Sequence, residues 1–127
     1  MSIKKIITGL TLSLLLSSGA ANADWGDVYY CQMTNSSRIT LDGEIHKYTL
    51  RTFQFKLDQT KNAMVFGDKG HFQDYVMELT ENKNWPEQEA WYANDSFRKI
   101  YFDNGKLVHG SISVRGSTAF TADCDKF

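Results

Sequence analysis

The chain ends in FTADCDKF (residues 120–127), where Cys124 stands between Asp123 and Asp125. On a β-strand successive side chains point to opposite faces, so both carboxylates would face away from the thiol. The three groups then cannot converge on one metal ion, and a structural metal site would need several Cys or His at close spacing. Acidic neighbours also oppose the lowered pKa that a reactive thiol requires. The stretch therefore predicts a structural cysteine.

The predicted partner of Cys124 is Cys31, within DVYYCQM (27–33), since these are the two cysteines of the sequence. In an oxidising compartment an even pair of this kind most simply forms a disulfide. The bond would close a loop of 93 residues. Chain entropy gives such a loop a stabilisation of at most about 4–5 kcal/mol.

The oxidising compartment is itself predicted from the N-terminus, which reads as a signal peptide over residues 1–23. Lys4 and Lys5 form a basic start, and the apolar stretch from Ile6 to Leu16 follows them. Ala21-Asn22-Ala23 matches a cleavage site of the A-x-A type,. The apolar stretch is shorter than the ~20 residues that a membrane-spanning helix needs. We therefore expect a cleaved signal with the cut after Ala23.

The mature chain would be a single domain over residues 24–127, located in the periplasm or secreted. It has no further apolar segment of membrane-spanning length, so we expect no transmembrane segment in the mature chain,. Removal of two lysines with the signal leaves 12 basic and 15 acidic residues, a net charge of −3. A nucleic-acid binder would show a basic stripe, and we expect no nucleic-acid partner.

Short runs of alternating apolar residues, separated by Gly, Asn and Asp, fill the mature sequence. This pattern predicts an all-β domain, a small antiparallel meander. Asn104-Gly105 is a strong hairpin signal because both residues tolerate positive φ angles. Eight strands are predicted, at about 28–33, 44–57, 63–66, 72–79, 90–93, 97–102, 106–114 and 118–124.

Two features indicate that this sheet curls. In the second strand the apolar phase changes between Leu50 and Phe53, which predicts a β-bulge near Arg51-Thr52. The predicted disulfide would also bring the first and last strands together. We therefore expect a closed or nearly closed, calycin-like barrel, with a β-sandwich as the alternative. TENKNWPEQE (80–89) would be the longest loop.

No residue pattern predicts catalysis. His109 is expected on the solvated face of its strand, while His46 and His71 fall near strand ends without the spacing of a zinc site,. Ser111 and Ser113 share a face with His109, but Cα atoms two residues apart on a strand lie about 6–7 Å from each other, too far for ready proton transfer. We expect no enzyme activity, no cofactor and no metal, with a small hydrolase as the third-ranked alternative.

Three side chains are weak candidates for binding a ligand or a partner. Trp85 is a large ring in a polar loop, either a plug on one barrel end or a contact residue. Lys47 and Arg51 fall in the phase that later becomes the core face. They could line a barrel mouth and meet an anion, or extend into solvent. Other aromatic residues are predicted to form the core: Phe53, Phe55, Phe66, Phe72, Phe102 and Phe120.

The placement of YYC (29–31) and ADCDKF (122–127) resembles that in the inhibitors of c-type lysozyme. Those proteins are small periplasmic barrels with one cysteine in the first strand and another near the C-terminus. The resemblance implies a barrel that binds a cell-wall hydrolase. The family's Ser-Gly-x-x-Tyr loop has no counterpart, since HGSIS (109–113) reverses the order and lacks the tyrosine. No functional residue is therefore carried over.

Two functions follow as hypotheses. The first is a non-enzymatic binding protein that takes a small apolar or amphipathic ligand at one barrel end. The second is a protein–protein module, such as a periplasmic inhibitor of a cell-wall hydrolase, that acts through loops like 80–89.

Overall fold

The computed structural model describes residues 23–80 and 90–127. All the regular structure in these ranges is antiparallel β-sheet, as the sequence predicts. The predicted signal peptide falls almost entirely in residues 1–22, and Trp85 falls in residues 81–89, so both lie outside the described part of the chain. The strands are β1 (Val28–Ile39), β2 (Ile45–Lys47), β3 (Thr52–Asp58), β4 (Ala63–Phe66), β5 (Val76–Glu78), β6 (Trp91–Asn94), β7 (Arg98–Asp103), β8 (Lys106–Ser113) and β9 (Gly116–Lys126).

Eight of the strands follow one continuous path in the order β5-β4-β3-β1-β9-β8-β7-β6, and β2 pairs with β1 beside that path. The path curls until β5 and β6 approach each other. They are joined by a single bridge between Leu79 and Ala93 and by a hydrogen bond of 2.6 Å from the Thr80 N–H to the Tyr92 carbonyl. The fold is thus a nearly closed barrel with one unsealed seam, which confirms the predicted barrel.

The first and last long strands lie at the centre of this path. Cys31 and Cys124 stand directly opposite each other in the β1–β9 register. Their sulfur atoms lie 2.10 Å apart, so the two strands are joined by a disulfide as well as by hydrogen bonds. Asp123 and Asp125 are exposed while Cys124 is buried, which is the alternation expected for a strand. The unsealed seam therefore falls in the middle of the chain rather than between its ends.

The predicted second strand is wrong in one respect. Residues 48–51 are not part of a strand, so the single strand predicted over 44–57 is divided into β2 and β3 and no bulge forms near Arg51-Thr52. The irregular segment is what changes the apolar phase. A register shift occurs instead in β1, between Met33 and Asn35. It moves the inward-facing phase of β1 from odd to even residue numbers, so Ser36 is buried,.

The strand predicted over 72–79 is also shorter in the structure. Phe72 and Asp74 have φ angles of 64° and 59°, which are incompatible with a strand. Residues 71–74 therefore form turns and only Val76–Glu78 is a strand. The alternating apolar residues that suggested a long strand instead belong to a tight turn that folds Phe72 over the core.

The core consists mainly of aromatic rings inside the barrel. Five of the six predicted core phenylalanines are buried, and Phe72 is half-buried with its ring centroid 4.9 Å from that of Phe66. Phe55 and Phe102 meet edge to face at 5.1 Å across the barrel. Burial of each ring contributes about 1.5–3 kcal/mol, and the edge-to-face contacts add about 0.5–1.5 kcal/mol each. The described residues in this part of the interior are apolar apart from the hydroxyl of buried Tyr29, whose ring stacks on Phe55 at 5.4 Å.

Candidate ligand-binding site

The barrel interior becomes polar toward one end. The residues that stand opposite one another on neighbouring strands form rows across the inner face. One row runs from Ser36 through Phe120 to His109, and the next row outward runs from Arg38 through Thr118. The outer row continues on β8 and β7 with Ser111 and Arg98. The outer row thus contains two arginines and two hydroxyl side chains, whereas aromatic rings fill the rest of the interior.

His109 lies inside the barrel, and the prediction that it faces solvent was wrong. Its residue surface is 4% exposed, whereas Val108 beside it is exposed. The error has a simple origin: Leu107 and His109 share the inner face, and the apolar residues Val108 and Ile112 lie outside. An apolar residue on an outer face is ordinary in a small barrel. The prediction took Val108 and Ile112 as inward-facing residues and thereby exchanged the inner and outer faces of the strand.

Neither ring nitrogen of His109 has a hydrogen-bond partner within the described part of the chain. The imidazole stacks on the Phe120 ring with the centroids 4.7 Å apart and the planes inclined by 19°. A buried polar group without a partner costs about 1–3 kcal/mol. His109 is therefore placed where a polar atom from elsewhere would stabilise it.

A cavity of about 350 Å³ opens beside His109 at the polar end of the barrel, and we call this the mouth cavity. Met33 and Phe120 give it an apolar wall, and both are buried. Tyr48 and Arg51, from the irregular segment between β2 and β3, lie at its exposed rim. The full lining is Met33, Ser36, Tyr48, Thr49, Arg51, His71, His109, Thr118 and Phe120.

His71 is carried to the cavity by the turn that precedes β5. Its backbone N–H donates to the Thr52 carbonyl at 3.1 Å, and its ring meets the Phe72 and Phe120 rings at 4.3 and 5.6 Å. Gly70 before it has a φ of 88°, and an added Cβ would lie 2.5 Å from the Thr52 carbonyl oxygen. A glycine is thus required for this turn to approach β3 and hold His71 over the barrel.

Both histidines are uncharged at neutral pH. Burial, together with smaller contributions from the neighbouring His71 and Arg98 and against an opposing one from Asp95, lowers the pKa of His109 to about 4. Burial also lowers the pKa of His71, with contributions from Arg51 and Arg98. A neutral imidazole has one N–H donor and one acceptor nitrogen. His109 can therefore both give a hydrogen bond to a ligand and accept one.

Three arginines lie at this end of the barrel, and two of them, Arg51 and Arg98, are close enough to His71 to influence its pKa. The Arg38 guanidinium carbon lies 5.8 Å from the Tyr48 ring centroid, and its Nε is buried without a hydrogen-bond partner in residues 23–80 and 90–127. The Arg98 guanidinium covers the Tyr75 ring at 3.8 Å, and its Nε lies 3.4 Å from Asp95 Oδ2. Of the three, Arg98 is the one that forms a salt bridge to a described carboxylate.

The structure separates the candidate residues named from the sequence. Arg51 lines the mouth cavity. Lys47 lies on the outer face opposite Ser37, and its Nζ donates to Asn35 Oδ1 at 3.2 Å. Trp85 is outside the described residues. The sequence analysis did not identify His71 and His109 as cavity residues. His109 could have been found from Leu107, because residues two apart on a strand share a face and Leu107 is a typical core residue.

Comparison of the chain with protein-family models, with curated proteins and with solved structures gives no match. Residues 23–80 and 90–127 contain no group of three or more His, Cys, Asp or Glu side chains placed to hold a metal ion. Within the same ranges no helix is long and apolar enough to cross a membrane.

Proposed function

We propose that this chain is an exported, non-enzymatic binding protein that holds a small amphipathic ligand in its mouth cavity. The observation that supports this most strongly is the buried imidazole of His109, which borders the cavity and has no partner for either nitrogen among the described residues. A polar group of the ligand would supply the missing hydrogen bond. The apolar surfaces of Met33 and Phe120 would contact the rest of the molecule.

The size and composition of the cavity fit this role. Small-molecule sites are concave, mostly apolar, and contain a few polar groups that fix orientation, with volumes from about 300 Å³ upward. A cavity of about 350 Å³ is at the small end of that range. The ligand is therefore a small molecule rather than a lipid with several chains.

The proposed location is the periplasm or the extracellular space. The disulfide between Cys31 and Cys124 is consistent with an oxidising compartment,. The basic start, the apolar stretch and the A-x-A site at Ala21–Ala23 support export by a cleaved signal,.

Native mass spectrometry tests the binding function. The full chain would be expressed with its own N-terminus, recovered from the bacterial periplasm and sprayed from a non-denaturing buffer. We expect a retained small mass on the wild-type protein that is lost in His109→Phe, because the variant removes the polar partner and keeps an aromatic ring beside Phe120. A bare wild-type mass, or the same retained mass in the variant, would contradict the proposal.

An exposed apolar row supports the second candidate, a protein–protein module. Ile45, Ile39, Ser117 and Ile112 are successive register partners on β2, β1, β9 and β8, so their side chains share the outer face. The three isoleucines are 65%, 51% and 73% exposed. Exposed apolar patches often mark contact surfaces. This row could bind a periplasmic partner such as a cell-wall hydrolase.

A lysis assay with a c-type lysozyme tests this candidate. We expect the wild-type chain to slow lysis and Ile39→Asp and Ile112→Asp to abolish the effect. Val76→Asp is the matched control, since Val76 is also exposed but lies on β5 away from the row. Undiminished lysis in the presence of the wild-type chain would exclude inhibition of this enzyme.

A further inference from the structure

We infer that the ligand of the mouth cavity is an amphipathic oxyanion, a single short apolar chain with a head group such as a carboxylate or a sulfate ester. The inference rests on the proposed ligand-binding function and adds the chemical class of the ligand. The head group binds His109 and Arg51, which line the cavity. Arg38 does not line it, but its guanidinium lies over the Tyr48 ring at the rim and reaches the head group from there. The apolar chain contacts Phe120 and Tyr48.

The unpartnered groups at this site are mainly donors. Arg38 Nε–H can only donate, and one nitrogen of neutral His109 carries a hydrogen that it can donate. Both atoms are buried, and neither has a hydrogen-bond partner in the part of the chain that the structure describes. A ligand that stabilises both must present two acceptor positions close together. The oxygens of a carboxylate or a sulfate provide them.

The charges at the mouth favour the same head group. Arg51 lines the cavity and Arg38 lies against its rim residue Tyr48. Arg98 does not line the cavity, and its charge is paired with Asp95, whose Oδ2 lies 3.4 Å from Arg98 Nε. Arg51 forms no salt bridge within residues 23–80 and 90–127. Among the described residues that line the mouth cavity, Arg51 carries a positive charge and none is a carboxylate, so this lining is cationic although the whole chain has a net charge of −1. A cationic head group would be repelled by this arrangement, and a neutral one would gain hydrogen bonds without the charge attraction.

The spacing of the strands allows one head group to reach both buried donors. Arg38 lies on β1 and His109 on β8, with β9 between them, and they occupy adjacent inner rows. Strands lie about 4.8 Å apart and successive inner-facing residues about 6.6–7 Å apart, so the two Cα atoms are separated by roughly 12 Å. Two inward side chains of this length leave room for a single small head group between them.

Lys47 provides a charge-matched control. It immediately precedes the non-strand segment that contributes Tyr48 and Arg51, but it faces outward onto Asn35. Substitution of Lys47 or of Arg51 by glutamine removes one positive charge from the same region. An effect that requires contact with the ligand would appear in Arg51→Gln and not in Lys47→Gln.

Isothermal titration calorimetry with eight-carbon probes tests the inference. The purified mature chain is titrated at pH 7.4 with octanoate, octyl sulfate, octan-1-ol and octylammonium. We expect both anions to bind at least about 10-fold more tightly than the alcohol, and the cation to show no binding. Hydrogen bonds to charged groups are strong enough for such a ratio. Octanoate and octyl sulfate then show which oxyanion geometry fits better.

The variants are measured with octanoate. We expect Arg51→Gln to weaken binding about 3- to 10-fold, since its guanidinium is exposed and partly screened, and Arg38→Gln to weaken it about 10-fold or more. Lys47→Gln should leave the affinity unchanged. Arg51 lies at an exposed position, so its variant should fold and gives a result even if Arg38→Gln is unstable.

Equal affinities for octanoate and octan-1-ol would overturn the inference that the head group is anionic. The proposal that the cavity binds a small ligand would not be affected by that result. Equal losses of octanoate affinity in Lys47→Gln and Arg51→Gln would show that general surface charge causes the effect. That result would overturn the contact between Arg51 and the ligand. Absence of binding by all four probes would also overturn the inference, whereas the proposed binding function is judged separately by the mass retained from the periplasm.

Discussion

Two features of His109 are energetically unfavourable and uncommon in a protein core. Its imidazole is removed from water and its nitrogens have no partners in the described structure. Burial disfavours the charged form and holds the pKa at about 4, with His71 and Arg98 acting in the same direction and Asp95 against them. A group buried in its neutral form binds fewer protons in the folded than in the unfolded state below its ordinary pKa.

The stability of the protein should therefore fall on acidification. Between pH 6.5 and pH 4 unfolded His109 is protonated and folded His109 is not, so the folded state loses stability as the pH decreases. We expect the free energy of unfolding to fall by about 2 kcal/mol between pH 7 and pH 5 from this residue, with a further loss from His71, whose pKa is also lowered. Urea unfolding at a series of pH values measures it.

The control for this experiment is His109→Phe, which keeps the ring contact with Phe120 and removes the titrating group. Its stability should depend less on pH over the same window. Parallel curves for the wild type and the variant would show that His109 does not bind a proton on unfolding.

Substitution of Gly116 tests how closely the β8–β9 hairpin approaches β1. Its φ angle is 127°, and an added Cβ would lie 2.1 Å from the Ile39 carbonyl oxygen. Gly43 has a φ of 86° with nothing within 4 Å of such a Cβ. We expect Gly43→Ala to cost about 1–2 kcal/mol from backbone strain alone, and Gly116→Ala to cost about 3 kcal/mol or more because a steric clash is added. Similar urea midpoints for the two variants would contradict the close approach.

At the scale of the strands, the sequence was most informative where a turn signal bounded a regular alternation. Ala63–Phe66 lies where it was predicted, and β8 ends within one residue of its predicted end. The predictions failed where tertiary contacts changed the phase. The shift in β1 between Met33 and Asn35 and the positive φ of Phe72 are set by contacts across the barrel, which no local pattern records.

The disulfide should contribute strongly to the pairing of β1 with β9. It closes 93 residues of chain, so its removal should cost up to about 4–5 kcal/mol. Urea unfolding of Cys31→Ala/Cys124→Ala would measure this cost, and the reduced wild-type chain separates the loss of the bond from the loss of the two sulfur atoms. Equal stability of the oxidised and reduced wild type would show that hydrogen bonds alone hold the strands together.

At the scale of the whole molecule, the two cysteines and the regular turns were enough to predict a nearly closed barrel. They could not predict where the barrel would remain unsealed. The ends of the chain are joined through β1 and β9, and the gap lies between β5 and β6 because these strands have three and four residues and share one bridge. The mouth cavity was equally hidden, since its residues come from five separate segments of the chain.

Export and oxidation can be checked together on the intact protein. We expect the chain recovered from the periplasm to begin at Asp24 and to weigh ~2 Da less than its reduced form, which is the mark of one disulfide. Non-reducing mass analysis gives both values. A retained N-terminus or two free thiols would contradict the proposed route.

Nuclear magnetic resonance of the histidine side chains tests whether an amphipathic anion binds in the mouth cavity against His109, as we claim. In a chain with ¹⁵N-labelled histidine, octanoate is added while the ring nitrogen resonances are followed. We expect those of His109 to shift saturably and those of His46, which is exposed and lies 3.5 Å from Glu44, to remain in place. Unchanged His109 resonances at saturating octanoate, or equal shifts at His46, would contradict the claim.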